Sequence, residues 1–120
     1  MKPTKFEMYT QAIHEYMDLF GLKDWEYVIT EDRISDRAQV HYNMDDRIAS
    51  FIYNRDPEEH CNPRKSAFHE VMELFLANIG QFSFNGNISE EERTRRNDEE
   101  THRVIRTLEN VVFPELEKVF

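Results

Sequence analysis

The chain has 120 residues, enough for one domain to bury a core without disulfide or metal staples, and nine Phe, five Tyr, five Met and one Trp supply that core. With 32% charged residues and a mean hydropathy of -0.77 the surface is well solvated, and a formal net charge of -9 argues against a general electrostatic grip on nucleic acid. One cysteine, Cys61, excludes an internal disulfide, and no apolar run approaches the roughly 18 residues that a membrane span requires.

A single domain over residues 1–120 is therefore expected, and with no signal-peptide core after Met1–Lys5 a cytoplasmic one. From Thr4 to Phe20 the residues Phe6, Ala12, Ile13, Met17 and Phe20 recur at helical spacing, and Gly21 stands where a C-terminal cap belongs. Trp25, Tyr27 and Ile29 then alternate with Glu26, Val28 and Thr30, and Ala38, Val40 and Tyr42 with Gln39, His41 and Asn43; both stretches read as strands. The polar turn Met44-Asp45-Asp46-Arg47 joins the second strand in a hairpin to Ile48–Tyr53, whose apolar residues at nearly every position predict a strand covered on both faces.

Asn54–Pro63 reads as a loop, with Pro63 suited to the first turn of the helix that follows. Arg64 to about Ile79 carries Ala67, Phe68, Val71, Leu74, Phe75 and Asn78 on one broad apolar face, and Gly80 ends it. Phe82–Asn87 is a turn-rich connector, and Ser89-Glu90-Glu91-Glu92 offers a capping box. The last helix starts between Ser89 and Asn97 and turns Val104, Ile105, Leu108, Val111 and Val112 to the core, while its interleaved Arg and Glu residues form a solvated face. Pro114 interrupts it, and Leu116–Phe120 adds a terminal turn. The predicted class is α+β: an N-terminal helix, a small three-stranded antiparallel or mixed sheet, and two further helices.

The chemistry-bearing residues lie on the second helix. Positions four apart stand one above the other, so His69 and Glu73 form a pair, with Glu70 beside them opposite the stripe of Val71 and Phe75. Two ligands one turn apart can hold zinc while an adjacent carboxylate takes a proton from water, which makes His69 and Glu73 candidate ligands and Glu70 the candidate base. Glu73 stands where the usual H-E-x-x-H has its second histidine; a carboxylate is a legitimate zinc ligand but weakens the ion as a Lewis acid. A catalytic site needs a third ligand, and the last helix offers Asp98, Glu99, Glu100 and His102. His102 is preferred, because it restores a set of two histidines and one carboxylate; Glu99 or Glu100 would give a poorer site. His14, His41 and Cys61 are read as structural, and Tyr42 and Tyr53 as packing residues that could reach an oxyanion.

The segment Ser66–Ile79, followed after a gap by Glu99–Asn110, resembles a family of phage metallopeptidases related to the SprT-like minimal zincins, and Trp25–Val28 and Ala49–Asn54 extend the likeness more weakly. The resemblance implies a zincin-like fold, a strand beside the active-site helix that can pair with an extended peptide, and an origin in a phage or prophage. The expected function is zinc-dependent hydrolysis of a peptide bond in a peptide or protein substrate. The alternative, motivated by Glu73, is a catalytically inert zincin-like accessory protein that binds a host protein. No membrane partner is expected.

Overall fold

Helix α1, Lys5–Leu19, begins where the side chain of Thr4 accepts the Glu7 N–H at 3.0 Å and the Glu7 carboxylate reaches back to the Thr4 N–H, a reciprocal capping box. It ends at Phe20, and Gly21 follows with φ of 72°, the left-handed conformation that glycine adopts without strain. The computed structural model describes residues 2–80 and 90–120, with 79, 80 and 90–98 in backbone only; the expected connector Phe82–Asn87 and the cap at Ser89 lie outside the described residues.

Three strands follow: β1 (Glu26–Asp32), β2 (Ala38–Asn43) and β3 (Ile48–Asn54). The β2–β3 hairpin is antiparallel, with Tyr42 opposite Ala49, and its turn is held by Asn43 Oδ1, which accepts the N–H groups of Asp45 and Asp46 at 3.0 and 3.1 Å. Arg47 completes the turn at φ 55°. β1 pairs in parallel with β3, so the sheet order is β1-β3-β2 and the sheet is mixed.

The expectation that β3 is covered on both faces is corrected. Ala49, Phe51 and Tyr53 are buried, whereas Ser50 and Ile52 on the other face are half-buried and Ile48 is exposed. The strand is central in the sheet rather than central between layers: α1 and α2 (Pro63–Gly80) cover only the face of Phe51. The apolar run reflects strand neighbours on both edges.

One core joins the elements. Tyr9, Ile13, Tyr16 and Met17 of α1 meet Phe68, Val71 and Leu74 of α2 and Phe51 and Tyr53 of β3. Ring centroids lie 4.7 Å apart for Tyr9–Tyr53 and 5.2 Å for Tyr16–Phe68, and each such fully buried side chain contributes about 1.5–3 kcal/mol. Helix α3 (Glu90–Val111) adds Ile105, and α4 (Phe113–Glu117), with Pro114 in its first turn, adds Phe113. Val111, expected in the core, is exposed, because the chain turns out of α3 just beyond it and Phe113 takes the inward position.

α4 is tied back to the other helices by a half-buried ion cluster. Arg64 donates from Nε to Glu117 at 2.6 Å and from Nη2 to Glu15 at 2.5 Å, and the Tyr16 hydroxyl donates to Glu117 at 2.6 Å. Among the described residues no helix is long and apolar enough to cross a membrane.

Candidate metal centre

Helix α2 is capped by Asn62, whose Oδ1 accepts the N–H groups of Arg64 and Lys65 at 3.1 and 3.2 Å, and begins at Pro63, whose ring fixes the first turn. That start sets the rotation of the helix, and with Ala67, Phe68, Val71 and Leu74 turned into the core, His69 and Glu73 emerge one turn apart toward α3. Both are half-buried, with side chains 33% and 29% exposed.

His102 comes from α3 to the same point. The Nε2 atoms of His69 and His102 lie 3.7 and 3.6 Å from Glu73 Oε1, and one ligand atom from each of the three residues falls within 4.8 Å of the others. Ligands about 2.05 Å from a tetrahedral ion sit about 3.4 Å from one another, so the two measured separations are within a few tenths of an ångström of that spacing. This His-Glu-His group could hold a metal ion. Of the alternative third ligands, Glu100 is turned away and ion-paired to Arg103 at 2.6 Å, and Glu99 is exposed outside the cluster; the side chain of Asp98 lies outside the described residues.

Sequence reasoning missed Glu109. Its Oε1 lies 2.5 Å from His69 Nδ1, which donates to it, and Lys65 approaches the other oxygen at 4.0 Å. A carboxylate on Nδ1 fixes the ring orientation and leaves Nε2 as the ligand atom, the usual arrangement of outer partners at metal-binding histidines. A helical wheel could have found it: Glu109 stands seven residues after His102, on the same face two turns on.

Glu70 is the other departure from expectation. Placed by wheel geometry on a polar strip, it is only 6% exposed, and its Oε2 has no hydrogen-bond partner. Burial, reinforced by the neighbouring Glu73 carboxylate and by Asp36, pushes its carboxyl up to about 9. His69 is also raised to about 9: the Glu73 carboxylate favours the charged ring most, burial opposes it, and Glu109 adds to the rise. Burial opposes ionisation of Glu73, but contacts with His69 and Glu70 outweigh it and hold its carboxyl below the ordinary value. Two carboxyl groups one turn apart are thus pushed in opposite directions, one to hold a proton and one to hold charge.

The centre opens into a cleft of about 1020 Å³ walled by α2, α3 and β2, the edge strand of the described sheet, with Gln39, Val40 and His41 on the strand side. The loop leading into β2 is anchored by Asn54, whose Nδ2 donates to the carbonyls of Ile34 and Asp36 at 3.1 and 3.0 Å, which presents Asp36 and Arg37 to the cleft. His60 lines the cleft as well. Cys61 is buried, its sulfur 3.6 Å from the Tyr53 hydroxyl and 3.7 Å from Ser66 Oγ, so both Cys61 and Tyr53 are packing residues. His14 is exposed and bonded to the Tyr27 hydroxyl at 2.6 Å, outside the trio.

Comparison of the chain with protein-family models, with curated proteins and with solved structures finds no match to any of them.

Proposed function

We propose that the protein is a zinc-dependent peptidase of the zincin type, related to the phage metallopeptidases it resembles, with zinc held by His69, Glu73 and His102. The observation that carries this reading is the convergence of those three side chains, from two helices, beside a buried carboxyl group that has an unpartnered oxygen. Two imidazoles and a carboxylate are a donor set suited to zinc.

The chemistry that zinc would supply there is polarisation of a carbonyl, a more acidic water and a positive charge that would draw the Glu70 carboxyl back toward ionisation. The chain's own residues do the rest. Glu70 accepts the proton of the attacking water and returns it to the departing amine, a role that needs a carboxyl group of raised proton affinity. Glu109 holds the His69 ring in place. β2 is an edge strand of the described sheet, and addition of an extended peptide to such an edge is a mode of recognition in which main-chain bonds give affinity and side-chain pockets give selectivity. Hydrolysis of a peptide library by zinc-loaded protein, lost on chelation and restored by zinc, is the test; no cleavage at stoichiometric zinc would end the peptidase reading.

One observation favours a second reading. The centre satisfies its own charges through the His69–Glu73, His102–Glu73 and His69–Glu109 pairs, as an inert zincin-like module that binds a host protein would need. Such a protein would fold identically in the presence of chelator and cleave nothing.

A further inference from the structure

Three permanent cations, Arg37, Lys65 and Arg106, line the cleft of a chain whose formal net charge is -9. Two of them have internal carboxylate partners: Arg37 lies 3.6 Å from Glu58, and Lys65 lies 4.0 Å from Glu109. Arg106 has no ion pair or hydrogen bond among the described residues. It stands on α3 one turn beyond His102 and one turn before Glu109, on the face that lines the cleft. An arginine on a helix surface in an acidic protein has carboxylates within easy reach; this one faces a cavity instead.

We infer that Arg106 is a specificity-determining residue that receives a carboxylate of the substrate, so that the cleft takes peptides with an acidic group within two residues of the reacting carbonyl. The inference rests on the peptidase reading for its geometry. One turn of α3 sets the backbone of Arg106 about 6 Å along the helix axis from that of His102, and successive residues of an extended peptide advance about 3.3 Å. Guanidinium matches carboxylate in a two-point fork, which gives direction as well as charge attraction. The carboxylate can come from an Asp or Glu side chain or from the end of the substrate chain, and the two sources are separable by experiment.

Binding is read by fluorescence anisotropy on wild-type protein supplied with zinc, and on Glu70→Gln so that no peptide is consumed, with zinc content measured in the same samples. The probes are labelled hexapeptides of one sequence: central Glu with an amidated end, central Gln amidated, central Gln with a free end, and central Lys amidated. The Glu peptide, the free-end peptide or both should bind about tenfold more tightly than the Gln amide, and which of them does so identifies the source. Arg106→Gln should erase the difference, and Arg106→Glu should transfer the preference to the Lys peptide, both with zinc content unchanged. Equal affinities for all four peptides, including none measurable, or a carboxylate preference that survives in Arg106→Gln, would overturn the inference. Failure to retain zinc would instead count against the peptidase reading, since a carboxylate preference is read without turnover.

Discussion

Glu109 accepts a hydrogen bond from His69 Nδ1 at 2.5 Å although forty positions separate the two in sequence. The bond crosses from α3 to α2 and fixes which ring nitrogen faces Glu73 and His102. Glu109→Gln should therefore leave the fold intact and lower zinc affinity by about 10–100-fold, measured by competition with a chromophoric chelator. Unchanged affinity would show that the ring is oriented by something else.

Wild-type protein supplied with zinc should hold it in stoichiometric amount, and His69→Ala, Glu73→Ala and His102→Ala should each lose it. Elemental analysis of the purified variants decides it. Retention by His102→Ala alone would return Glu99 or Glu100 to candidacy as the third ligand.

Glu70→Gln should retain zinc and lose at least about 100-fold in kcat, since the amide cannot take up a proton. Equal turnover in that variant would remove Glu70 from the mechanism.

The local chemistry of α2 was legible in sequence because the four-residue interval between His69 and Glu73 is a property of any α-helix. Meeting His102 required only that α3 run back along α2, and the periodicity of Ile105 and Leu108 gave its inward face. The burial of Glu70 was not legible. A wheel places it beside a polar strip, but α1, the sheet and α3 all press on α2, so the strip that stays accessible is narrower than the polar one. The hairpin was readable from Asn43–Arg47, a local turn, whereas the parallel pairing of β1 with β3 depends on contacts between distant segments that leave no local signal. The run Ile48–Tyr53 misled for a related reason: hydrophobicity marks a central strand whether its neighbours lie above it or beside it.

The metal-free protein should lose stability as pH rises. Glu70, ordinarily at 4.5, and His69, ordinarily at 6.5, are both raised to about 9 in the fold. The folded state thus binds more protons than the unfolded state, and the stabilising difference, complete below 4.5, is lost as pH climbs through the folded values. Urea midpoints measured in chelator from pH 5 to about 10 should fall, and Glu70→Gln should flatten the curve and raise its alkaline end. A midpoint that rises with pH over this range would contradict the assignment.

Arg64→Met should cost on the order of 3 kcal/mol, a fall of roughly 10 °C in Tm for a chain of this size, because it leaves the Glu15 and Glu117 carboxylates half-buried without their cation. Adding Glu15→Gln and Glu117→Gln to that variant should recover part of the loss, since the penalty lies in uncompensated charge. Calorimetry on the single and triple variants tests both statements.

The sheet order has a consequence for how the chain comes together. β1 and β2 precede β3 in sequence yet each is hydrogen-bonded to β3 and not to the other, so neither has a strand partner until β3 begins at residue 48. Pairing β1 with β3 means closing a loop across the whole hairpin, a long-range step that is slow to occur by chance. The hairpin can form early on its own turn, and docking of its Phe51 face against α1 would then present the open side of β3 to β1. The last strand in the sheet to be synthesised is the one around which the other two must assemble.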